Sequence, residues 1–145
     1  MSEVKKSVLI GHSARQMYDL VDAVERYPEF LPWCSAAEVL FRDAARTRAT
    51  IHINYHGVRQ SFTTENEKTT SELIWVKLVE GPFKALDGSW RFISLSPQAC
   101  KIDFSLHYEF SSRLLEMLVG PVFGYIANTM VDAFIKRADD VYGAA

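Results

Sequence analysis

The chain has 145 residues, 48% hydrophobic and 23% charged, with a formal net charge of −2 at pH 7. This length sets one domain of ordinary size as the expectation, and the composition excludes intrinsic disorder and low-complexity fibres. The charge excludes a dominant basic surface, so nucleic-acid contact would need a local patch. Cys34 and Cys100 stand far apart without a CxxC pair, and no secretory apolar stretch follows Met1. A cytoplasmic protein with reduced thiols is therefore expected.

Val4 to Ile10 alternates as a short strand. Ser13 with Gln16 three residues later matches a capping box, and Met17, Leu20, Val21 and Val24 recur at helical spacing, which predicts a helix from Ala14 to about Val24. The next stretch, Tyr27-Pro28-Glu29-Phe30-Leu31-Pro32-Trp33-Cys34, has two prolines that prevent a long helix, yet it carries more large apolar side chains than a solvated loop would.

From Val39 to Phe110 the period falls to two. Ala49, Ile51, Ile53 and Tyr55 share one strand face, and a two-residue turn at His56-Gly57 would set Tyr55 opposite Val58, Ile53 opposite Gln60 and Ile51 opposite Phe62. Leu73 to Val79 and Ser89 to Leu95 read as strands on either side of Gly81-Pro82. Cys100, Ile102, Phe104, Leu106, Tyr108 and Phe110 form the clearest half-buried strand. Ser111 or Ser112 caps a final helix to about Tyr142, with an interruption expected at Gly120-Pro121 and Gly124. Its predicted buried stripe is Leu115, Leu118, Val122, Ile126, Met130 and Phe134. Because Glu116, Asn128 and Asp132 interrupt the apolar tract, it reads as amphipathic rather than membrane-spanning.

Antiparallel strands with one apolar face need a cover, and the last helix supplies it, so the expected class is α+β. The predicted inward face holds Ile51, Ile53, Tyr55, Val58, Gln60, Phe62, Thr64, Trp90, Phe92, Ile102, Phe104, Leu106 and Tyr108, with no carboxylate, imidazole or ammonium. That inventory disfavours acid–base catalysis, and no catalytic residue is assigned. Placing Lys77 outside would also place Trp75 outside. His52 and His56 are four residues apart, about 13 Å on a strand, so they do not chelate one metal. His12 and His107 lack ligand-spaced neighbours, Cys34 reads as a buried thiol, and Asp139-Asp140 reads as a solvated helix end. Arg46, Arg48 and Arg59 are the candidate RNA contacts, with Glu65 expected opposite Arg48.

The segment from Tyr27 to Cys34 resembles the family of RatA ribosome-association toxins and coenzyme Q-binding proteins, within the START-like polyketide cyclase/dehydrase superfamily. The likeness continues through Arg59-Gln60-Ser61-Phe62-Thr63-Thr64, Val79-Glu80-Gly81-Pro82-Phe83-Lys84, Gly88-Ser89-Trp90-Arg91-Phe92, Asn128-Thr129-Met130-Val131 and Ala133-Phe134. The resemblance implies one START-like ligand-binding domain over residues 1–145, with a helix-grip fold in which a curved antiparallel sheet wraps the C-terminal helix around an apolar tunnel. It implies noncatalytic binding of ubiquinone or a similar prenylated lipid in support of respiration, with no cofactor required and with transient membrane contact. The contrasting implication is a toxin that binds the large ribosomal subunit and blocks subunit association. The expected tunnel lining is the inward set above, Val58 and Thr64 apart, with Ile126, Met130 and Phe134 from the helix. Tyr55, Gln60 or Tyr108 would bond a ligand carbonyl or hydroxyl, and Tyr27, Pro28, Phe30, Leu31, Pro32 and Trp33 would form a short turn at one end of the tunnel, either a lid or a core plug. Oligomeric state is left open.

Overall fold

The computed structural model describes residues 2–144. In chain order, β1 (Ser2–Ile10) leads into α1 (Ala14–Asp22) and a 3₁₀ turn (Val24–Glu29). Then come β2 (Cys34–Arg42), β3 (Arg46–Tyr55), β4 (Val58–Thr69), β5 (Leu73–Glu80), β6 (Phe83–Ser96), β7 (Ala99–Phe110) and α2 (Arg113–Tyr142). The strands form one antiparallel sheet in the order β1-β7-β6-β5-β4-β3-β2. Strands β2 to β7 follow one another as hairpins, and β1 joins at the far edge beside β7. The sheet curves around α2, which makes this a helix-grip fold.

Local chemistry explains several boundaries. Ser13 Oγ accepts from the Gln16 amide while Gln16 reaches back to the Ser13 amide, completing the capping box. At the β3–β4 turn His56 and Gly57 have φ of 49° and 80°, the paired left-handed geometry that matches strand twist. The hairpin register is Tyr55 with Val58, Ile53 with Gln60 and Ile51 with Phe62. Trp75 and Lys77 both face outward, and the Lys77 ammonium lies 4.6 Å from the Trp75 ring centroid.

Four boundaries depart from the sequence-based expectation. The helix α1 stops at Asp22, two residues early, although Val24 stays buried in the 3₁₀ turn. Strand β2 begins at Cys34 rather than Val39, because backbone pairing with β3 carries it through Ser35 to Glu38, where no clean alternation is written. Strand β6 begins at Phe83 rather than Ser89: an irregularity between Phe83 and Ala85 puts Phe83 and Leu86 on one face and breaks the period of two. And α2 runs unbroken past Gly120-Pro121 and Gly124. Pro121 deprives the Met117 carbonyl of its usual donor, but Met117 is on the exposed side, where water can serve.

The buried stripe of α2 is Val119, Phe123, Ile126, Ala127, Val131, Phe134 and Ala138. Leu118 of the expected stripe is exposed, and Leu115, Val122 and Met130 are only partly covered. Because the first half of α2 is apolar on most sides, its sequence permits several stripes and the sheet selects one. Leu114, Met117, Leu118 and Tyr125 consequently face outward. By length and composition α2 could also cross a membrane, but here its inner side packs on the sheet.

Two polar contacts overturn expectations. Lys68 lies on the inward parity of β4, its side chain 2% exposed and its Nζ 3.1 Å from Asp22 Oδ1, so an ammonium does turn inward. Asp139 is not simply solvated, since its Oδ1 lies 2.8 Å from Nε2 of the buried His12 and ties the end of α2 to the β1–α1 junction.

Candidate functional site

Between the middle of the sheet and α2 lies a cavity of about 80 Å³. The strand residues Ile51, Phe62, Thr64, Asn66, Val76, Leu86, Trp90, Phe104 and Leu106 form one wall, and Phe123, Ile126 and Met130 of α2 the other. Val24, Tyr27 and Trp33 line it from the 3₁₀ turn and the residues after it. Gly88 also contributes, and a Cβ there would come within 2.9 Å of the Ser105 carbonyl and 3.0 Å of Leu106 Cδ1. Any side chain at this position would push the neighbouring strand and encroach on the space.

Of the expected lining, Ile51, Phe62, Trp90, Phe104, Leu106, Ile126 and Met130 reach the cavity, while Ile53, Tyr55, Gln60, Phe92, Ile102, Tyr108 and Phe134 do not. Alternation assigns a side chain to a face but leaves its depth along the strand undetermined, and the two ends of that face are filled. Tyr55 stacks on Tyr125 beside the hairpin, with Gln60 and Ile53 paired nearby. Tyr108 packs against Phe83, Phe110 and Phe123. Phe92 lies beside Tyr18 of α1 with Ile102 as its cross-strand partner. Phe134 sits behind the 3₁₀ turn against Tyr27, Phe30 and Trp90. Tyr55, Gln60 and Tyr108 therefore do not line this cavity. On β4 the polar residues at the cavity are Thr64, which was expected, and Asn66, which was missed although it continues the Phe62–Thr64 parity; Ser89 lines the cavity from β6.

The aromatic segment divides by role. Tyr27 and Trp33 face the cavity, Leu31 is core, and Pro28 and Pro32 are exposed and shape the backbone. Phe30 is partly covered, with the Arg137 guanidinium 5.0 Å from its ring centroid, and Arg137 also bonds Glu29 at 2.7 Å. The segment is thus clasped to α2. Tyr27 donates its hydroxyl to the Val21 carbonyl, and burial holds its phenol well above the ordinary tyrosine range.

Nothing in this lining titrates near neutrality. Burial pushes the Cys34 thiol up to about 11, which leaves almost no thiolate for nucleophilic chemistry. Among the described residues no three His, Cys, Asp or Glu side chains converge in a metal-binding group. His52 is engaged with Ser61 and Glu38 on the outer face, and His107 with Glu3 and Asp87. On the same outer face Glu65 pairs with Arg48 at 3.0 Å and with Arg46 at 4.0 Å, which cancels part of that basic patch.

The model of the polyketide cyclase / dehydrase and lipid transport family matches residues 10–135. The chain belongs to this family. Within it, the chain is 43% identical over 143 residues to the ribosome association toxin RatA of Vibrio cholerae, covering 99% of both chains. It is 32% identical over 145 residues to the mitochondrial coenzyme Q-binding protein COQ10 homolog B of Xenopus laevis, covering 97% of this chain and 59% of that one. The crystal structure of the Zhui aromatase/cyclase from Streptomyces sp. R1128 superimposes with a TM-score of 0.80 at 15% identity and 99% coverage of both chains, a likeness of fold alone. Relatives with binding-protein and toxin names thus align with this chain over nearly its whole length.

Proposed function

We propose that the protein is a noncatalytic binder of a hydrophobic ligand of the prenylated-quinone class, held between the sheet and α2. The observation that carries this reading is the cavity itself: a largely apolar lining whose polar side chains are Thr64, Asn66, Ser89 and the polar ends of Tyr27, Trp33 and Trp90. Such a lining desolvates an apolar body and orients one polar group, and it supplies no acid or base for turnover. The coenzyme Q-binding relative supports the same ligand class. At about 80 Å³ the cavity is smaller than the roughly 150 Å³ that admits a benzene ring, so a quinone head requires widening. The partly covered Met130 and the clasped Tyr27–Trp33 segment are the parts able to yield. Transient contact with a membrane, from which such a ligand is drawn, belongs to this reading, and the segment then acts as a lid as well as a wall.

A filling variant provides the test. Val76→Phe adds a ring to the cavity and should abolish one-to-one retention of a short-tailed ubiquinone, read by mass spectrometry of the reconstituted protein. The variant should stay folded at a cost of about 1–3 kcal/mol, the scale for overpacking, because a ring fills a space of about 80 Å³ and presses on its walls. Full retention by this variant, or no retention of any quinone or lipid by the unaltered protein, would overturn the reading.

The identity of 41–43% to RatA proteins over nearly the whole chain favours a second reading of the cellular role, a cytoplasmic protein that associates with the large ribosomal subunit. It concerns the outer surface and is compatible with a filled cavity. Cosedimentation with large subunits should then fall steeply as salt rises, and Arg46→Ala, Arg48→Ala and Arg59→Ala combined should weaken it without altering quinone retention. Unchanged sedimentation of the triple variant would reject this surface.

A further inference from the structure

We infer that Asn66, oriented by Thr64, is the polar anchor of the cavity and takes the carbonyl group of an otherwise apolar ligand. The inference rests on the ligand-binding reading above and specifies which atom recognises which group.

Phe62, Thr64 and Asn66 follow one another on the inward face of β4, and the latter two are 4% and 6% exposed. An asparagine this deep is costly to bury unless its amide is paired. Thr64 Oγ1 donates to Asn66 Oδ1 at 3.3 Å, which satisfies the carbonyl end of the side chain. The Nδ2 end meets no protein acceptor among the described residues and keeps accessible surface where Asn66 lines the cavity. Its surroundings are mostly apolar, with Val76, Phe104 and Met130 beside the indoles of Trp33 and Trp90.

The chemistry of that vacant donor selects the ligand. An N–H pair can satisfy itself only on an acceptor, so a carbonyl oxygen fits, whereas a saturated chain leaves the amide unpaired. A quinone carbonyl combines an acceptor with an apolar ring and tail, which suits the remaining lining. The reliance on Thr64 is specific: without its hydroxyl, Asn66 Oδ1 would lose its partner and the amide its fixed orientation.

The test compares three probes with the same decyl tail: a decyl-substituted benzoquinone, titrated by its quenching of tryptophan fluorescence, and decanol and decane, each titrated by its displacement of that quinone. The unaltered protein should bind the quinone at least about tenfold more tightly than the hydrocarbon, the scale of one neutral hydrogen bond in a dry site. Asn66→Leu keeps the size and removes the donor. It should erase that preference while leaving decane affinity unchanged or stronger. Thr64→Val, which removes only the hydroxyl, should reduce the preference in the same direction and serves if Asn66→Leu does not fold.

Equal binding of quinone and decane by the unaltered protein would overturn the anchor while leaving the apolar-ligand reading intact. So would preference for decanol over the quinone, or a loss in Asn66→Leu that is equal for all probes, which marks a purely structural residue. Failure of the unaltered protein to bind any of the three overturns the ligand-binding reading itself.

Discussion

Truncating Phe134 to Ala should lower folding stability by about 3–5 kcal/mol, the scale for losing a fully enclosed aromatic side chain. Phe134 is fully buried and meets Tyr27, Phe30 and Trp90 edge-on, with ring centroids 5.3, 5.1 and 5.2 Å away. These neighbours belong to the 3₁₀ turn and its following residue, and to the centre of the sheet. One side chain on α2 therefore joins three parts of the molecule that have no covalent proximity. The space left behind cannot be closed by one neighbour without pulling the others off their own contacts. Urea unfolding with an unchanged denaturant slope checks the figure. A loss below about 1 kcal/mol would show that the cluster collapses freely and that the turn is held elsewhere.

Asp22→Asn should cost about 3 kcal/mol or more, and much of that should return when Lys68→Met is added. The reason is an asymmetry in the pair. The Lys68 side chain is 2% exposed, whereas that of Asp22 is 23% exposed and can turn toward water. Removing the carboxylate charge leaves an ammonium enclosed without its counter-ion, the expensive way to break a buried pair. Lys68→Met alone should be milder, because the remaining carboxylate keeps the Thr47 hydroxyl within 3.5 Å and some access to solvent. A four-variant cycle by chemical denaturation measures the coupling. Additive losses would show that the two side chains stabilise the fold separately and that the contact itself contributes nothing.

These two sites differ in how far the sequence announced them. Phe134 lies in a helix whose apolar residues recur at helical intervals, and its burial follows from that spacing. The Asp22–Lys68 pair joins residues 46 positions apart, and neither position carries a local sign of the other. The same division runs through the molecule. The capping box at Ser13, the two-residue turn at His56-Gly57 and the β3–β4 register are set by residues within a few positions of each other, and the sequence alone determines them. The alternating strands and the long apolar helix likewise determine an antiparallel sheet covered by α2.

Position along those elements was decided by packing. Ile53 and Ile51 have the same parity, yet only Ile51 meets the cavity. Phe83 was hidden by an irregularity that shifts parity for one step, and Leu118 by a helix apolar on too many sides to reveal which would turn inward. The polar part of the cavity followed the same rule: alternation places Thr64 inward, Asn66 was missed although it continues the same parity, and their mostly apolar surroundings became visible only when α2, β5, β6 and β7 closed around them. Periodicity is a property of neighbours in the chain, so it fixes the face that a side chain occupies. The depth of a cavity, the partner of a buried charge and the rotation of a helix depend on side chains brought together from distant positions, and only tertiary packing sets them.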